Sequence, residues 1–316
     1  MQFIETLHVG DRVNETYFCK TKNSAITKTG KPFDALVLQD RTGTLDGKIW
    51  NPSSAGIDDF DSFTYVNVMG DVTEFNGALQ LNIQRARKVD ESEIDPALYM
   101  PASSQDVGEM YGKLMSLVNS IGNQWYKALL EEFFVKDEAI VSEFKKHSAA
   151  KTVHHSFIGG LLEHSLSVAQ LCDDFCKNYP FLKRDLLVTA ALIHDIGKLG
   201  EIEPFPQNDY SDEGNLIGHI VMGVEMVDER IAKMPDFPKT QALELKHCIV
   251  SHHGELEYGS PKKPALAEAI ALSFADNLDA KMETMKEALE NVQPTNLSWQ
   301  KKNFFLDTII RRTSQD

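Results

Sequence analysis

The apolar residues change their spacing once along this chain of 316 residues, and that change limits what the chain can fold into. Between about Val9 and Val89 the sequence consists of short runs rich in β-branched and aromatic residues, separated by turn signals. Later in the chain, apolar residues recur every three or four positions, as in Met222, Met226 and Val227, which is the spacing of an amphipathic helix. A β domain followed by an all-helical domain is therefore predicted.

The first part of the chain predicts five strands. Asn76-Gly77 suits a two-residue type I′ turn, because both positions of that turn need a positive φ. Leu79, Leu81 and Ile83 then alternate with polar residues, as in a half-buried strand. Five strands in about eighty residues favour a closed Greek-key barrel, and the OB-fold is the commonest barrel with that count. The predicted strands cover residues 12–22, 32–39, 44–50, 65–75 and 78–86.

Residues 91–105 are the predicted linker, since they combine acidic residues, Pro96, Pro101 and serines without apolar periodicity. The predicted domains are an OB-like barrel over 1–90 and an all-α region over 106–316. A hydrophobic content of 42% is enough for a sizeable core in each of two domains.

Composition excludes several classes of protein. The first residues lack the basic start and apolar run of a signal peptide, and the longest apolar stretch, Leu186 to Ile193, is far too short to span a bilayer. We therefore expect a cytoplasmic protein with no membrane partner. Four cysteines without paired spacing predict reduced thiols. A formal net charge of −15 argues against nonspecific coating of nucleic acid, but it does not exclude an enzyme with local basic clusters.

The helical region concentrates residues that bind metals. Nine of the ten histidines lie between His147 and His253. Among them, His194 and Asp195 are adjacent, so they offer a nitrogen and a carboxylate to the same ion. Imidazole and carboxylate together suit Mn, Fe, Co or Zn, and helices can place such groups around more than one ion. The other candidates are spaced as one ligand per helix: His164, His219, His252 and Asp276.

The order of these residues resembles that of the HD-domain metal-dependent phosphohydrolases. His164, then His194-Asp195, then Asp276 reproduces the H…HD…D pattern of that family, within residues 151–290. The resemblance implies an all-helical domain that hydrolyses phosphoester bonds with bound divalent metal. The intervening histidines resemble the additional histidines of the family's members with two metal ions.

The same resemblance implies a role for each residue, with Asp195 bridging two ions. The ligands implied for the first ion are His164, His194 and Asp276. Those implied for the second are His219 with His252, His253 or both, and the choice between His252 and His253 stays open. Two ions roughly 3.5–4 Å apart can generate a nucleophile near neutral pH and bind phosphoryl oxygens.

Three further residues are candidates for contact with the substrate. Lys198 lies one helical turn after His194, so its ammonium can meet a nonbridging phosphate oxygen; the alternative is an exposed lysine paired with Glu201. His154 and His155 follow a basic residue and are candidates to face the substrate. The alternative for these two is that they are ordinary polar residues at the start of a helix.

The barrel resembles the OB-type nucleic-acid-binding domains in residues 38–50, 66–72 and 77–85. The resemblance implies that exposed aromatic residues stack on bases while basic residues follow the phosphates. Phe33 and Trp50 are the candidates for stacking, and the alternative is that they belong to the barrel core. The candidates for phosphate contact are Lys20, Lys22, Arg85 and Arg87, and for these the alternative is a solvated strand edge.

The two modules in this order resemble the YhaM family of 3′→5′ exoribonucleases over essentially the whole chain. Residues 157–165 (FIGGLLEHS) and 194–200 (HDIGKLG) carry the resemblance. It implies Mn²⁺-preferring removal of nucleotides from the 3′ end of single-stranded RNA, and to some extent of single-stranded DNA, with release of nucleoside 5′-monophosphates. It also implies a homo-oligomer.

Three other interpretations remain open from the residues alone. The chain could be an HD phosphohydrolase of small or cyclic nucleotides whose barrel is a sensor or an oligomerisation module. It could be a noncatalytic single-strand-binding protein with structural histidines, or an oxygenase that uses the same ligands for two irons. The last segment, 291–316, is expected to be a helix that packs on the bundle or on another subunit.

Overall fold

The computed structural model describes residues 1–27, 29–75, 77–95, 98–103, 105–151, 155–290, 297–300 and 302–314. They form two compact units, Met1–Ala102 with Phe205–Gln207, and Ser103–Pro204 with Asn208–Asp316. Asn76 and His154, which the sequence singled out, lie outside the described residues, and so does Pro96.

The first unit contains a closed barrel of five strands in the order β1-β2-β3-β5-β4. Neighbouring strands are antiparallel except β3 and β5, which pair in parallel and close the barrel. The predicted five-stranded, OB-like barrel is therefore confirmed. The strands are β1 Arg12–Ile26, β2 Pro32–Asp40, β3 Gly43–Ile49, β4 Thr64–Phe75 and β5 Ala78–Lys88.

A glycine in β4 allows the barrel to close tightly. The pairing of β4 with β5 shifts register between Met69 and Gly70, as at a β-bulge. A β-carbon at Gly70 would lie 2.2 Å from the carbonyl oxygen of Asn82, so no other residue fits there without moving the neighbouring strand. At the turn between the same two strands, Gly77 has a φ of +80°, as the sequence led us to expect.

Part of the predicted linker belongs to the barrel unit. Tyr99 and Met100 are buried, and the amide of Gln39 donates a hydrogen bond to the Tyr99 carbonyl oxygen at 3.2 Å. The ring of Tyr99 also packs edge-on against Tyr65, with 5.1 Å between the ring centroids. These two apolar residues within a polar segment explain why the first unit extends to Ala102.

The second unit is helical, as predicted, and its described residues form ten α-helices. In the first half they are α1 Val107–Ser120, α2 Gln124–Glu131, α3 Glu138–Phe144, α4 Gly160–Asn178 and α5 Arg184–Ile193. In the second half they are α6 Lys198–Glu201, α7 Asp212–Leu216, α8 His219–Ile231, α9 Lys239–Val250 and α10 Ala267–Glu290.

Helix α5 lies at the centre of the helical core. Every residue from Leu186 to Ile193 is buried, which explains the longest apolar run of the sequence. The same core includes buried residues of α4, α9 and α10, so these helices surround α5. None of the helices in the described ranges combines the length and the apolar character that crossing a bilayer requires.

The C-terminal segment differs from the expected helix. Its described residues form two short antiparallel strands, β6 Lys302–Asn303 and β7 Thr308–Ile309. The turn between them includes Asp307 with a φ of +50° and Phe304 with an exposed fraction of 90%. A turn with a positive φ interrupts the helical geometry that the apolar spacing favoured.

Candidate metal centre

His194 and Asp195 follow directly after the last residue of α5. Because α5 is buried along its apolar run, both side chains lie inside the unit, with exposed fractions of 0% and 1%. Gly197 then allows α8 to approach, since a β-carbon at this position would lie 2.0 Å from the carbonyl oxygen of His219. The glycine of the His-Asp-Ile-Gly-Lys segment thus brings the first residue of α8 next to the His-Asp pair.

Each histidine of the cluster uses its Nδ1 atom for an internal hydrogen bond. The acceptors are carboxylate or carbonyl oxygens, so Nδ1 carries a hydrogen in each ring, and Nε2 is the nitrogen that is left to face a ligand. The bonds are His164 to Asp279 (2.7 Å), His194 to Ala191 O (2.8 Å), His219 to Glu201 (2.8 Å), His252 to Ile249 O (2.7 Å) and His253 to Tyr258 O (2.8 Å).

Four potential ligand atoms converge from the first turns of α4, from the residues just after α5 and from the middle of α10. His164 Nε2 lies 3.3 Å from His194 Nε2, 3.3 Å from Asp195 Oδ2 and 3.2 Å from Asp276 Oδ1. His194 Nε2 lies 3.4 Å from Asp195 Oδ2 and 3.8 Å from Asp276 Oδ1. Atoms bound to one ion at about 2.0–2.2 Å lie roughly 3–4 Å apart, so this group fits a single ion.

A second group faces the other oxygen of Asp195. His219 Nε2 and His252 Nε2 each lie 3.5 Å from Asp195 Oδ1. The potential ligand atoms of His219, His252 and His253 lie within 4.8 Å of one another. His252 is fully buried, whereas His253 is partly exposed. The two oxygens of one carboxylate therefore serve two adjacent groups of ligand atoms.

Three polar atoms of the second group are buried without a hydrogen-bond partner among the described residues. They are Asp195 Oδ1, His219 Nε2 and His252 Nε2. A buried polar atom left without a partner costs about 1–3 kcal/mol. A bound cation would satisfy all three atoms, so the donor set fits a pair of divalent ions of the Mn, Fe, Co or Zn type.

Lys198 contributes a positive charge to the centre. Its Nζ lies 2.7 Å from Asp195 Oδ2, and its side chain is only 14% exposed. Burial opposes ionisation of Asp195, but Lys198 and His194 outweigh burial and hold the pKa of that carboxyl well below its usual range. Lys198 is thus neither exposed nor paired through a hydrogen bond with Glu201, which was the alternative from the sequence.

His253, the partly exposed member of the second group, is neutral near pH 7. Burial and the neighbouring His252 lower the pKa of His253 to about 4. Burial also lowers the pKa of His252. Both rings therefore keep the free lone pair that a metal ligand needs.

Two residues that fix the rings were missed by sequence reasoning. Glu201 accepts hydrogen bonds from the backbone nitrogen (2.9 Å) and from Nδ1 (2.8 Å) of His219, and Asp279 holds His164. Asp279 follows Asp276 by three positions on α10, so helical spacing could have placed it on the same face. No spacing could have indicated Glu201, because its contact with His219 depends on how residues 202–218 fold.

The residues that were predicted to contact the substrate or the phosphates differ in burial and in hydrogen bonding. His155 is buried, with its Nε2 atom 2.9 Å from Asp279 Oδ2, so it does not face solvent. In the barrel, Lys22 Nζ donates to the Phe60 carbonyl oxygen at 2.8 Å and lies 3.5 Å from Asp34. The ammonium of Lys22 is therefore occupied inside the barrel. Arg85 and Arg87 are exposed, and Lys20 is half-buried.

The two aromatic candidates of the barrel lie together. The ring centroids of Phe33 and Trp50 are 5.5 Å apart, and Lys48 Nζ lies 5.1 Å from the centroid of Phe33. Trp50 is 53% exposed, and its Nε1 donates to Asn82 at 3.1 Å. The barrel thus presents an aromatic and basic cluster at its surface, formed by residues of β2 and the end of β3.

Known proteins are similar to this chain over the HD domain and over most of its length. The HD domain family matches residues 161–281. The chain is 35% identical to the 3′-5′ exoribonuclease YhaM of Bacillus subtilis (strain 168) over 288 residues, which is 90% of each chain. It is also 35% identical to the protein of that name from Bacillus velezensis over 290 residues, again 90% of each. Among solved structures, the second OB-fold domain of replication protein A from Methanococcus maripaludis matches with a TM-score of 0.22 and 20% identity, over 28% of this chain and 93% of that one.

Proposed function

The chain belongs to the YhaM family of 3′-5′ exoribonucleases, and from this premise we propose that it removes nucleotides from the 3′ end of single-stranded RNA. The reaction hydrolyses phosphodiester bonds with divalent metal and releases nucleoside 5′-monophosphates. The observation that carries the proposal is the double use of Asp195, whose two oxygens face two groups of ligand atoms inside the HD domain.

We assign the ligands from these distances. The first ion is held by His164, His194, Asp195 and Asp276. The second ion is held by Asp195, His219 and His252, with His253 at the rim. Mn²⁺ is the ion that we propose, and Fe, Co and Zn suit the same ligands. When bound, such a pair of ions activates water near neutral pH and stabilises the charge of the phosphoryl group.

The side chains around the ligands have separate tasks. Glu201 and Asp279 hold His219 and His164 in the tautomer that leaves Nε2 free. Lys198 offers its ammonium to a nonbridging oxygen of the scissile phosphate, and its burial strengthens that attraction because the local dielectric is low. The bond that breaks joins the phosphorus to the 3′ oxygen of the preceding nucleotide. The phosphate therefore stays attached to the 5′ oxygen of the released nucleoside.

We assign binding of the strand to the barrel. Phe33 and Trp50 stack on bases, while Lys48, close to Phe33, neutralises a phosphate. Lys20, Arg85 and Arg87 remain proposed phosphate contacts, whereas Lys22 is left out because its ammonium is already bound inside the barrel. Binding of single-stranded DNA, a homo-oligomer and a cytoplasmic location remain predictions.

A degradation time course tests the proposal. RNA and DNA strands labelled at the 5′ end or at the 3′ end are incubated with Mn²⁺, with Mg²⁺ or with chelator. We expect the 5′-labelled RNA to give a ladder that shortens only when metal is present, because removal from the 3′ end leaves the label on the shrinking strand. Intact oligonucleotides together with cleavage of small or cyclic nucleotides would show that the substrate is a small molecule instead.

A pair of variants assigns the activity to the site. Asp195→Asn keeps the shape of the bridging side chain but removes its charge, so we expect the ladder to disappear. Asp236→Asn makes the same change at an exposed aspartate between α8 and α9 and is expected to behave as the wild type. Equal activity in both variants would place the catalytic centre elsewhere.

A further inference from the structure

Asp279 connects two imidazole rings. Its Oδ2 atom accepts hydrogen bonds from His164 Nδ1 at 2.7 Å and from His155 Nε2 at 2.9 Å, while its Oδ1 atom accepts the hydroxyl of Ser167. Burial opposes ionisation of Asp279, but the hydrogen bonds from both histidines outweigh it and lower the pKa of the carboxyl. An ionised carboxylate can only accept, so each histidine directs an N–H group at Asp279.

This pairing decides which nitrogen of His155 remains free. Because Nε2 donates to Asp279, Nδ1 is the nitrogen of His155 that is left for another partner. The Nδ1 atom is buried and has no hydrogen-bond partner in the part of the chain that the structure describes. The same carboxylate thus orients both rings. It leaves Nε2 of His164 to face the HD centre and Nδ1 of His155 to face a separate partner.

Two glutamates lie next to His155. Glu163 of α4 and Glu283 of α10 are buried, with exposed fractions of 7% and 9%. One ligand atom from each of these glutamates and from His155 lies within 4.8 Å of the other two. Among the described residues, no hydrogen bond joins His155 Nδ1 to either glutamate.

Each glutamate also has a hydrogen-bond partner of its own. Glu163 accepts hydrogen bonds from Ser103 and from the amide of Gln105, which are neutral. Both oxygens of Glu283 accept hydrogen bonds from Lys286 Nζ, at 2.8 Å and 3.0 Å, and the side chain of Lys286 is 48% exposed. The two carboxylates and the imidazole nitrogen thus lie buried side by side, and one imidazole with two carboxylates is a donor set that suits a divalent cation.

We propose that His155, Glu163 and Glu283 form a further divalent-cation site, separate from the ligands of the HD centre. One imidazole and two carboxylates suit an ion such as Mn²⁺. The bound ion fixes His155, and through Asp279 it also fixes the ring of His164. It thus acts as a structural support of the HD centre rather than as a participant in the reaction.

The number of bound ions tests the proposal. Wild-type protein, Glu163→Gln and Glu283→Gln are loaded with Mn²⁺ and desalted, and the manganese in each chain is counted by plasma mass spectrometry. Glu287→Gln, an exposed position one turn further along α10, is the matched control. We expect the two test variants to bind one ion fewer than the wild type and the control. The same count in all four proteins would overturn the proposal.

A second measurement remains decisive even where the variants do not fold. Crystals of the wild-type protein are soaked in Mn²⁺, and the anomalous scattering of manganese is mapped. We expect a peak at bonding distance from His155 Nδ1, and an empty position there beside an occupied HD centre would overturn the proposal. Neither readout depends on cleavage of RNA, so failure of the proposed nuclease activity leaves both of them intact.

Discussion

At the scale of single residues, Glu201 is not a proposed metal ligand, yet it holds His219 by two hydrogen bonds, one from the backbone nitrogen and one from the ring. We expect Glu201→Gln to weaken metal binding about 10–100-fold, because partners that orient a ligand typically contribute that much to affinity. Glu203→Gln, an exposed position two residues later, is the matched control. The measurement is the Mn²⁺ concentration that gives half-maximal activity, and equal values in the two variants would contradict the prediction.

His252 and His253 are adjacent, but they differ in depth. His252 lies 3.5 Å from Asp195 Oδ1 and is fully buried, while His253 is partly exposed. We expect His252→Ala to lower kcat by about 10³-fold, since metal catalysis is worth several kcal/mol and each 1.36 kcal/mol is a factor of ten. We expect a clearly smaller loss for His253→Ala. Steady-state kinetics with excess Mn²⁺ checks the order, and a larger loss for His253→Ala would reverse our assignment.

The candidate ligands could be recognised in the sequence, because a metal needs particular side chains, and the structure brings these side chains together. The supporting contacts were not. His155 meets Asp279 across 124 positions of the chain, and Glu201 meets His219 across 18. Such contacts depend on how helices pack, and a charged residue that supports a ligand looks like any other surface residue in the sequence.

At the scale of elements, α8 reaches the centre only because Gly197 has no side chain. A β-carbon at Gly197 would meet the His219 carbonyl oxygen at 2.0 Å and the Gly223 nitrogen at 2.6 Å. We expect Gly197→Ala to lower the free energy of unfolding by about 1–3 kcal/mol, the usual cost of overpacking, and to impair binding of the second ion.

The control for this change lies on the next helix. A β-carbon at Gly200 would meet only the end of the flexible Met222 side chain, at 2.6 Å. We therefore expect Gly200→Ala to be tolerated, with a smaller loss of stability. Urea unfolding and manganese counts compare the two variants, and equal stability losses would show that the approach of α8 is not what Gly197 provides.

The aromatic cluster of the barrel allows a similar comparison. Stacking of a base on an aromatic ring is worth about 1–3 kcal/mol, so we expect Trp50→Ala to weaken binding of a single-stranded oligonucleotide roughly tenfold or more. Phe75→Ala removes an aromatic residue that is 62% exposed but lies outside this cluster, and it is expected to have little effect. Fluorescence anisotropy at fixed salt measures both affinities, and equal effects would place the binding surface elsewhere.

The strands were predictable to within a few residues, because alternation follows directly from burial on one face. The largest difference is at β1, which was predicted to end at residue 22 and continues to Ile26. Residues 23–26 pair with the start of β2, but their side chains are exposed. An exposed hairpin end has no buried face, so no alternation marks it in the sequence.

At the scale of the whole molecule, stability should depend on pH through His147, a buried histidine that is not a proposed metal ligand. Burial lowers the pKa of His147 below the usual 6.5. The unfolded chain therefore binds a proton more readily than the folded one, and stability falls as the pH drops below about 6.5, by up to about 1.4 kcal/mol per pH unit for this group.

A substitution isolates the contribution of that histidine. We expect His147→Gln to flatten the decline in unfolding free energy between pH 7 and pH 5, because glutamine does not titrate. His8→Gln, at an exposed histidine of the first unit, should leave the slope unchanged. Urea unfolding in the presence of chelator gives the slopes, and identical slopes for the two variants would assign the effect to other groups.

The internal hydrogen bonds of the rings also suggest how this centre can tolerate evolutionary change. His194, His252 and His253 are held by backbone carbonyl oxygens of Ala191, Ile249 and Tyr258, which any amino acid at those positions would supply. His164 and His219 depend instead on the side chains of Asp279 and Glu201. Among diverging relatives, we therefore expect His194, His252 and His253 to be retained even where the residues that bond to them are substituted. His164 and His219 are expected to change only together with Asp279 and Glu201.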